Sequence, residues 1–220
     1  ILGMSGLVGA GRTETVRAIF GADPLDGGKI YVKGKEVKIK SPKQAIAAGI
    51  ALLTEDRKGS GLVLGESIRT NLIMSSFKKH SDGPFLNEKR IEETGQGHIE
   101  SLRIKTPSID EIVGQLSGGN QQKVVIGKWI NSDADIYIFD EPTRGIDVGA
   151  KVEVYNVMNS LVKAGKCVIM ISSEMPEILG MSDRVVVMRG GRVMATIDRD
   201  SKHFNQEGIM KAAWGGTLDD

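Results

Sequence analysis

The sequence has little cysteine and no excess of charge of either sign. One of its 220 residues is a cysteine, Cys167, which excludes an internal disulfide framework and a metal site made of cysteine alone. We expect this thiol to be buried in a strand, because it opens the apolar run CVIMI, and a free thiol is consistent with a reducing compartment. The 29 basic and 28 acidic residues leave a net charge of +1 with no basic stripe, so no nucleic acid partner is expected.

Long apolar stretches are also missing. No run approaches the ~18 residues that cross a bilayer, and the N-terminus does not have the charged segment and apolar core of a signal peptide. We therefore expect a soluble chain that is not exported. Because the sequence begins at Ile1 inside an apolar run, we also expect a domain of a longer protein.

Glycine is abundant instead: 28 of the 220 residues are glycine, about 13 % against the ~7 % of an average protein. Its first cluster gives the string GLVGAGRT, which lies between a short apolar strand and a helical segment over 13–20. The string matches the phosphate-binding pattern G-x-x-x-x-G-K-[ST], except that an arginine replaces the lysine, and an ordinary glycine-rich turn is the alternative. In such a loop, backbone amides and a helix N-terminus bind phosphate, and the threonine can ligate Mg²⁺. The predicted nucleotide-binding residues are Gly6, Gly9, Ala10, Gly11, Arg12, Thr13 and Glu14.

A second string, IYIFDEP, ends an apolar strand in two carboxylates. Asp140 falls at the carboxyl end of the strand, where ligands bind in open parallel sheets, and can hold the Mg²⁺ of a nucleotide. Glu141 can orient or deprotonate an attacking water. Alone, this string is more typical of a strand that ends in a solvated acidic turn.

A third string, LSGGNQQK, places Ser117 and two glycines directly before a helical stretch. Ser117 can simply cap that helix. However, a hydroxyl, two glycine amides and a helix N-terminus also form a second anion site. The three strings occur together and in this order, which favours the functional interpretation of each.

Together, these strings resemble the nucleotide-binding domain of ATP-binding cassette (ABC) transporters, over nearly the whole chain. More narrowly, the segments at 54–58, 141–151 and 172–184 are similar to the second, C-terminal cassette of bacterial monosaccharide importers of the ribose, galactose and xylose type. The resemblance implies ATP and Mg²⁺ as cofactors. It implies the N-terminal cassette of the same subunit and the membrane permease subunits as partners, with a periplasmic sugar-binding protein as an indirect partner. The implied location is peripheral, at the cytoplasmic face of the bacterial inner membrane.

The resemblance also implies roles for individual residues. In this family, the signature segment reaches across a dimer interface to the γ-phosphate held by the opposing cassette, and here it comprises Leu116, Ser117, Gly118, Gly119, Asn120 and Gln121. The implied ligands of Mg²⁺ are Thr13, Glu55 and Asp140. Glu141 takes the position of the catalytic base, Asp147 belongs to the loop that couples the two ATP sites, and residues 54–57 correspond to the contact with the membrane subunits.

Three departures from the family pattern fall on this cassette's own ATP site. Arg12 replaces the lysine, Glu55 replaces a glutamine, and Ser173 aligns with the switch histidine, so that Ser173 joins Glu141 as a predicted catalytic position. Arginine is a longer planar fork that does not reproduce the lysine contact, and a serine hydroxyl is too short to reach the γ-phosphate as an imidazole does. We hypothesise that the site binds nucleotide but hydrolyses it slowly or not at all, while the signature segment completes the partner cassette's site.

Three other functions stay open at this point. The first is an active ATPase homodimer, and the second is a non-transport ABC protein, although the chain has no long basic or coiled-coil insertion. The third is a regulatory nucleotide sensor, in which alteration of Ser117 would leave a partner's hydrolysis unchanged.

The predicted fold is α/β, a P-loop NTPase core of the RecA-like kind. We assign the core to residues 1–66 and 130–200, with an antiparallel β edge near 29–39. Residues 67–129 are predicted to form a helical subdomain without strands, and residues 201–220 a C-terminal helix or tail. The three histidines have no metal-ligand spacing and are expected at the surface.

Overall fold

The computed structural model describes residues 1–218, and this part of the chain contains both strands and helices. The strands are β1 (Leu2–Gly6), β2 (Ile30–Val32), β3 (Lys35–Val37), β4 (Ile50–Leu53), β5 (Ser81–Asp82), β6 (Phe85–Leu86), β7 (Ile136–Asp140), β8 (Cys167–Ile171), β9 (Arg184–Arg189) and β10 (Arg192–Asp198). The α-helices are α1 (Arg12–Ile19), α2 (Pro42–Ala47), α3 (Ile68–Ile73), α4 (Glu88–Ser101), α5 (Gly118–Asn131), α6 (Val148–Lys163), α7 (Met175–Met181) and α8 (Gln206–Ala213). None of the described helices is long and apolar enough to cross a membrane.

A six-stranded sheet in the order β10-β9-β1-β8-β7-β4 organises the fold. Strand β1 is parallel to both β8 and β9, and β8 is parallel to β7, whereas β10 pairs with β9 in antiparallel fashion. The apolar runs of β7 and β8 are largely buried, as expected for parallel strands covered on both faces. Because β1, β7 and β8 are parallel neighbours, their carboxyl ends meet at one edge of the sheet, which includes Gly6 and Asp140.

The chain divides into two compact units. The first unit contains residues 1–52, 135–142 and the stretch from Met158 onward, and it holds most of the six-stranded sheet together with the β2–β3 hairpin. The second unit contains residues 53–134 and 143–157 and is mainly helical. Its core includes fully buried side chains on α3 and α5, namely Ile68, Leu72, Val124 and Ile126.

Several sequence predictions need correction. The hairpin near 29–39 forms its own two-stranded sheet, and the antiparallel edge of the main sheet is β10. The expectation that no strand lies within 67–129 is wrong, because β5 and β6 form a short hairpin around Gly83, whose φ of 65° suits a tight turn. Helix α7 was not predicted: it has only seven residues and carries a proline in its first turn.

Two side chains also lie elsewhere than expected. Cys167 is exposed, because β8 begins at this residue and becomes buried only at Val168. His80 is buried rather than at the surface, and its Nε2 lies 2.9 Å from Nδ2 of Asn131. Burial lowers the pKa of His80 and of His98, and the charge of His80 lowers the pKa of His98 further.

Candidate functional site

The loop between β1 and α1 depends on glycine at particular positions. A Cβ atom on Gly6 would lie 2.3 Å from the carbonyl oxygen of Met188, and one on Gly11 would lie 2.9 Å from Cα of Gly191. Gly9 and Gly11 have φ angles of 76° and 91°, which are left-handed values that favour glycine. Gly6 and Gly11 therefore let the backbone pass close to Met188 and Gly191, while Gly9 needs glycine only for its left-handed φ.

The start of α1 fits a bound phosphate. Gly11 is the N-cap residue and makes no side-chain cap, so it leaves the amides of the first turn to another acceptor. Ala10 is buried and donates its N–H to the carbonyl of Leu7 at 3.0 Å, which closes the loop. Glu14 lies exposed in the first turn of α1.

Thr13 and Asp140 are brought together at the carboxyl edge of the sheet. The Thr13 hydroxyl donates to Oδ1 of Asp140 at 3.2 Å. Asp140 is only 2 % exposed, and burial raises its pKa to about 6 although the Thr13 hydrogen bond lowers it. A buried carboxylate with this shift gains from a cation, so the pair suits the Mg²⁺ of a nucleotide.

The arginine in the lysine position has two partners within the protein. Arg12 is buried, and its Nη1 donates to the carbonyl oxygen of Ser172 at 2.9 Å. Its Nη2 lies 3.7 Å from Oε1 of Glu141. A lysine ammonium has no second terminal nitrogen, whereas the guanidinium fork reaches the residues that follow two different strands.

Glu141, the predicted catalytic base, is held through both carboxylate oxygens. Arg12 approaches Oε1, and the Ser173 hydroxyl donates to Oε2 at 3.1 Å. The backbone of Glu141 has a φ of 47°, an uncommon value for a residue with a side chain. Two of the three residues that depart from the family pattern, Arg12 and Ser173, thus contact the same carboxylate.

The predicted signature segment forms the start of α5 in the second unit. Ser117 is the exposed N-cap of α5, and its hydroxyl oxygen accepts from Nδ2 of Asn120 at 3.1 Å. Gly119 is buried and packs so closely against Ala150 that a Cβ on Gly119 would lie 2.9 Å from the Cβ of Ala150. Gln121 is also buried and donates to the carbonyl of Val113 at 3.1 Å. Hence Ser117 is available at the surface while the following residues anchor the helix.

The loop before α6 contacts the signature segment. Oδ1 of Asp147 accepts from the Ala150 amide at 3.0 Å, in the first turn of α6. The carbonyl oxygen of Gly145 lies 3.1 Å from the position of a Cβ on Gly118. Glu55, a predicted Mg²⁺ ligand, belongs to this same unit and forms an ion pair with Arg144.

Sequence reasoning did not predict the positions of two basic side chains, Arg57 against the signature helix and Lys128 within it. Arg57 begins a π-helical turn, Arg57–Gly61, and its Nη1 donates to Oε1 of Gln122 at 3.3 Å. Lys128 is buried in α5, donates to the carbonyl of Gly61, and has its pKa lowered to about 8 by burial. The segment at 54–58 was singled out, but no spacing in the sequence indicates that residues so distant along the chain are neighbours.

Comparison with known proteins identifies the class. The family model described as ABC transporter matches residues 1–144, and the chain belongs to this family. The fold is similar to a dimeric ATP-binding cassette bound to ADP and Pi, with a TM-score of 0.77 and 16 % identity over 91 % of this chain and 86 % of that one. It is also similar to the ADP conformation of an ABC transporter cassette, with a TM-score of 0.75 and 20 % identity over 97 % and 84 % of the two chains.

Two relatives have a much higher sequence identity to this chain than these solved structures do. The chain is 50 % identical to the ribose import ATP-binding protein RbsA of Geobacillus kaustophilus, over 98 % of this chain and 43 % of that protein. It is 47 % identical to the ribose import ATP-binding protein RbsA 1 of Rubrobacter xylanophilus, over 99 % of this chain and 43 % of that protein. The chain therefore spans less than half the length of these relatives.

Proposed function

We propose that this chain is the second, C-terminal cassette of a bacterial monosaccharide importer, in which ATP binding and hydrolysis drive sugar uptake. The identity of about half its residues with ribose import ATP-binding proteins supports this substrate class. In this proposal the cassette lies peripherally at the cytoplasmic face of the inner membrane. It works with an N-terminal cassette of the same subunit and with permease subunits, and only indirectly with a periplasmic sugar-binding protein.

Within its own site, the chain binds nucleotide through the loop from Gly6 to Thr13. The uncapped amides of α1 receive the phosphates, and Thr13 and Asp140 hold Mg²⁺, with Glu55 as a further ligand. Mg²⁺ neutralises charge on the phosphates during phosphoryl transfer. The proton and water steps are then the task of the side chains around Glu141.

We infer that this site holds nucleotide and hydrolyses it slowly or not at all. The observation that carries this inference is that Arg12 and Ser173 engage opposite oxygens of Glu141. The Ser173 hydroxyl donates to one oxygen of this carboxylate and the Arg12 guanidinium lies 3.7 Å from the other, so protein groups hold both positions from which Glu141 could orient an attacking water. In addition, Arg12 donates to the Ser172 carbonyl, so its charge is directed at protein groups rather than at the loop.

The signature segment acts in trans in this proposal. Exposed Ser117 and the amides of Gly118 and Gly119, at the N-terminus of a 14-residue helix, bind the γ-phosphate of the nucleotide in the partner cassette. Asp147 lies in the loop that contacts this segment and communicates between the two sites.

The experiment compares two substitutions in the full-length subunit assembled with its permease. Ser117→Arg should reduce ATPase activity by roughly a hundredfold, the typical effect of losing one transition-state donor. Glu141→Gln should change the rate by less than about threefold, because this site is not the one that turns over. Gln96→Arg, which adds the same charge on an exposed part of α4, is the matched control and should leave the rate unchanged. A regulatory sensor would give full activity with Ser117→Arg, and an active homodimer would lose activity with Glu141→Gln.

A further inference from the structure

The side chain of Arg57 lies against the first residue of the signature helix. Its Nη2 is 3.2 Å from the position that a Cβ on Gly118 would occupy, so the guanidinium packs closely against this glycine. Nη1 donates to the amide oxygen of Gln122, one turn further along α5, at the long distance of 3.3 Å. A positive charge is thereby placed next to Ser117 and Gly118, at the end of α5 that is itself positive.

The guanidinium is poorly compensated by the protein. Its Nε is buried without a hydrogen-bond partner in the described chain. No carboxylate among residues 1–218 pairs with it: Glu55 pairs with Arg144, Asp56 accepts from Gly59, and Asp147 accepts from Ala150. Burial alone lowers the pKa of Arg57, without an opposing attraction from an acidic group. A half-buried cation at a helix N-terminus costs stability unless an anion is nearby.

The backbone around Arg57 is nevertheless firmly held. Asp56 caps the π-helical turn by accepting from the amide of Gly59 at 2.9 Å, and the Thr54 and Ser60 hydroxyls lie 2.9 Å apart. At the other end of the turn, Lys128 donates to the carbonyl of Gly61. π-Helical turns are rare in proteins, and they are often found at functional sites. This turn fixes Arg57, which pairs with no carboxylate among residues 1–218, where an incoming anion would meet it.

We propose that Arg57 is a further binding residue of the signature segment and contacts the terminal phosphate of the nucleoside triphosphate presented by the partner cassette. This inference rests on the proposed function, because it requires the signature segment to act in trans. The bound phosphate supplies the negative charge that Arg57 does not find among residues 1–218. A preorganised guanidinium strengthens its contact as charge develops on the transferred phosphoryl group.

The test is the ATPase activity of the full-length subunit, measured with ATP alone and again with the permease. Arg57→Gln should lower kcat/KM for ATP by roughly tenfold to a hundredfold, as for loss of one charged donor. Arg57→Lys keeps the charge and should recover most of this loss. Lys58→Gln removes the neighbouring exposed charge and should leave kcat and KM unchanged. The midpoint of thermal unfolding should not fall in Arg57→Gln, because the side chain is poorly paired.

Each outcome separates this inference from its alternatives. A loss in Arg57→Gln that Arg57→Lys does not rescue, and that comes with a lower unfolding midpoint, assigns Arg57 a structural role and overturns the inference. A loss seen only with the permease present makes Arg57 a permease contact and also overturns it. If Ser117→Arg abolishes activity while Arg57→Gln is unchanged, the inference fails and the proposed function stands. If Ser117→Arg has no effect, the proposed function fails and takes the inference with it.

Discussion

Two arginines lie at or beside the first residue of a helix in this chain, and their surroundings differ. Arg12, the first residue of α1, is buried against the carboxylate of Glu141 and the carbonyl of Ser172. Arg57, beside the first residue of α5, has one long hydrogen bond to the side-chain amide of Gln122 and pairs with no carboxylate in the described part of the chain. A cation at a helix N-terminus needs an offsetting anion. At the phosphate loop, the Glu141 carboxylate is this anion. At the signature segment, we propose that a bound phosphate is.

The largest expected effect concerns the close packing of the phosphate loop at Gly6. Gly6→Ala should lower the free energy of unfolding by about 3 kcal/mol or more, because the new Cβ meets the backbone carbonyl of Met188. Urea unfolding of the chain measures the loss. Gly9→Ala is the matched control: it has a left-handed φ but no atom within 4 Å of the Cβ, so about 1–2 kcal/mol is expected. Equal losses in the two variants would contradict a close-packed loop.

The next prediction compares the two arginines directly. Arg12→Met should lower the free energy of unfolding by about 2–3 kcal/mol, because a largely buried Glu141 loses its cation and the Ser172 carbonyl loses a donor. Arg57→Met should leave stability unchanged or slightly higher, since it removes a poorly paired charge. Both values come from urea unfolding without nucleotide. If Arg57→Met lowered the free energy of unfolding more than Arg12→Met does, Arg57 and not Arg12 would be the arginine that is well paired within the protein.

Adding Glu141→Gln to Arg12→Met measures the interaction between these two side chains. With the negative charge gone, part of the loss in stability should be recovered, and the double-mutant cycle gives the coupling between the two side chains. Strict additivity of the two substitutions would show that the 3.7 Å pair contributes nothing.

A smaller effect concerns pH and the carboxylate next to the loop. The folded-state pKa of Asp140 is raised to about 6, above its unfolded value, so the folded chain binds this proton more tightly. Stability from this group is present at low pH and falls as the pH rises from about 4 to about 6. Asp140→Asn should therefore be more stable than the original chain by about 3 kcal/mol at pH 7 and equal to it below about pH 4. Urea titrations at both pH values measure this, and a difference independent of pH would contradict the assigned shift.

Much of the fold was predictable because local signals agreed with the global arrangement. The glycines before Thr13 predicted the turn into α1, and the apolar run ending in Asp140 predicted a buried strand with its carboxylate at the ligand-binding edge. Thr13 and Asp140 lie 3.2 Å apart because both stand at the carboxyl edge of the same parallel sheet, with β8 between their strands.

The remaining features depend on tertiary packing that no local pattern encodes. Arg12 reaches the Ser172 carbonyl only because β8 lies between β1 and β7 in the sheet, and the sequence does not give strand order. Arg57 reaches Gly118 because a π-helical turn, which has no sequence signature, aims it at α5. Cys167 was expected inside the sheet, but the apolar run does not show where along it burial begins.

The most direct test of the division between the two sites is the ATPase rate of this chain itself with Mg²⁺ and ATP, over a wide range of protein concentration. We predict that the chain binds ATP but gives no turnover above background, with the same result for Glu141→Gln. Turnover that survives purification, rises with protein concentration and disappears in Glu141→Gln would contradict the account, because the clamped carboxylate of Glu141 would then be an active catalytic base.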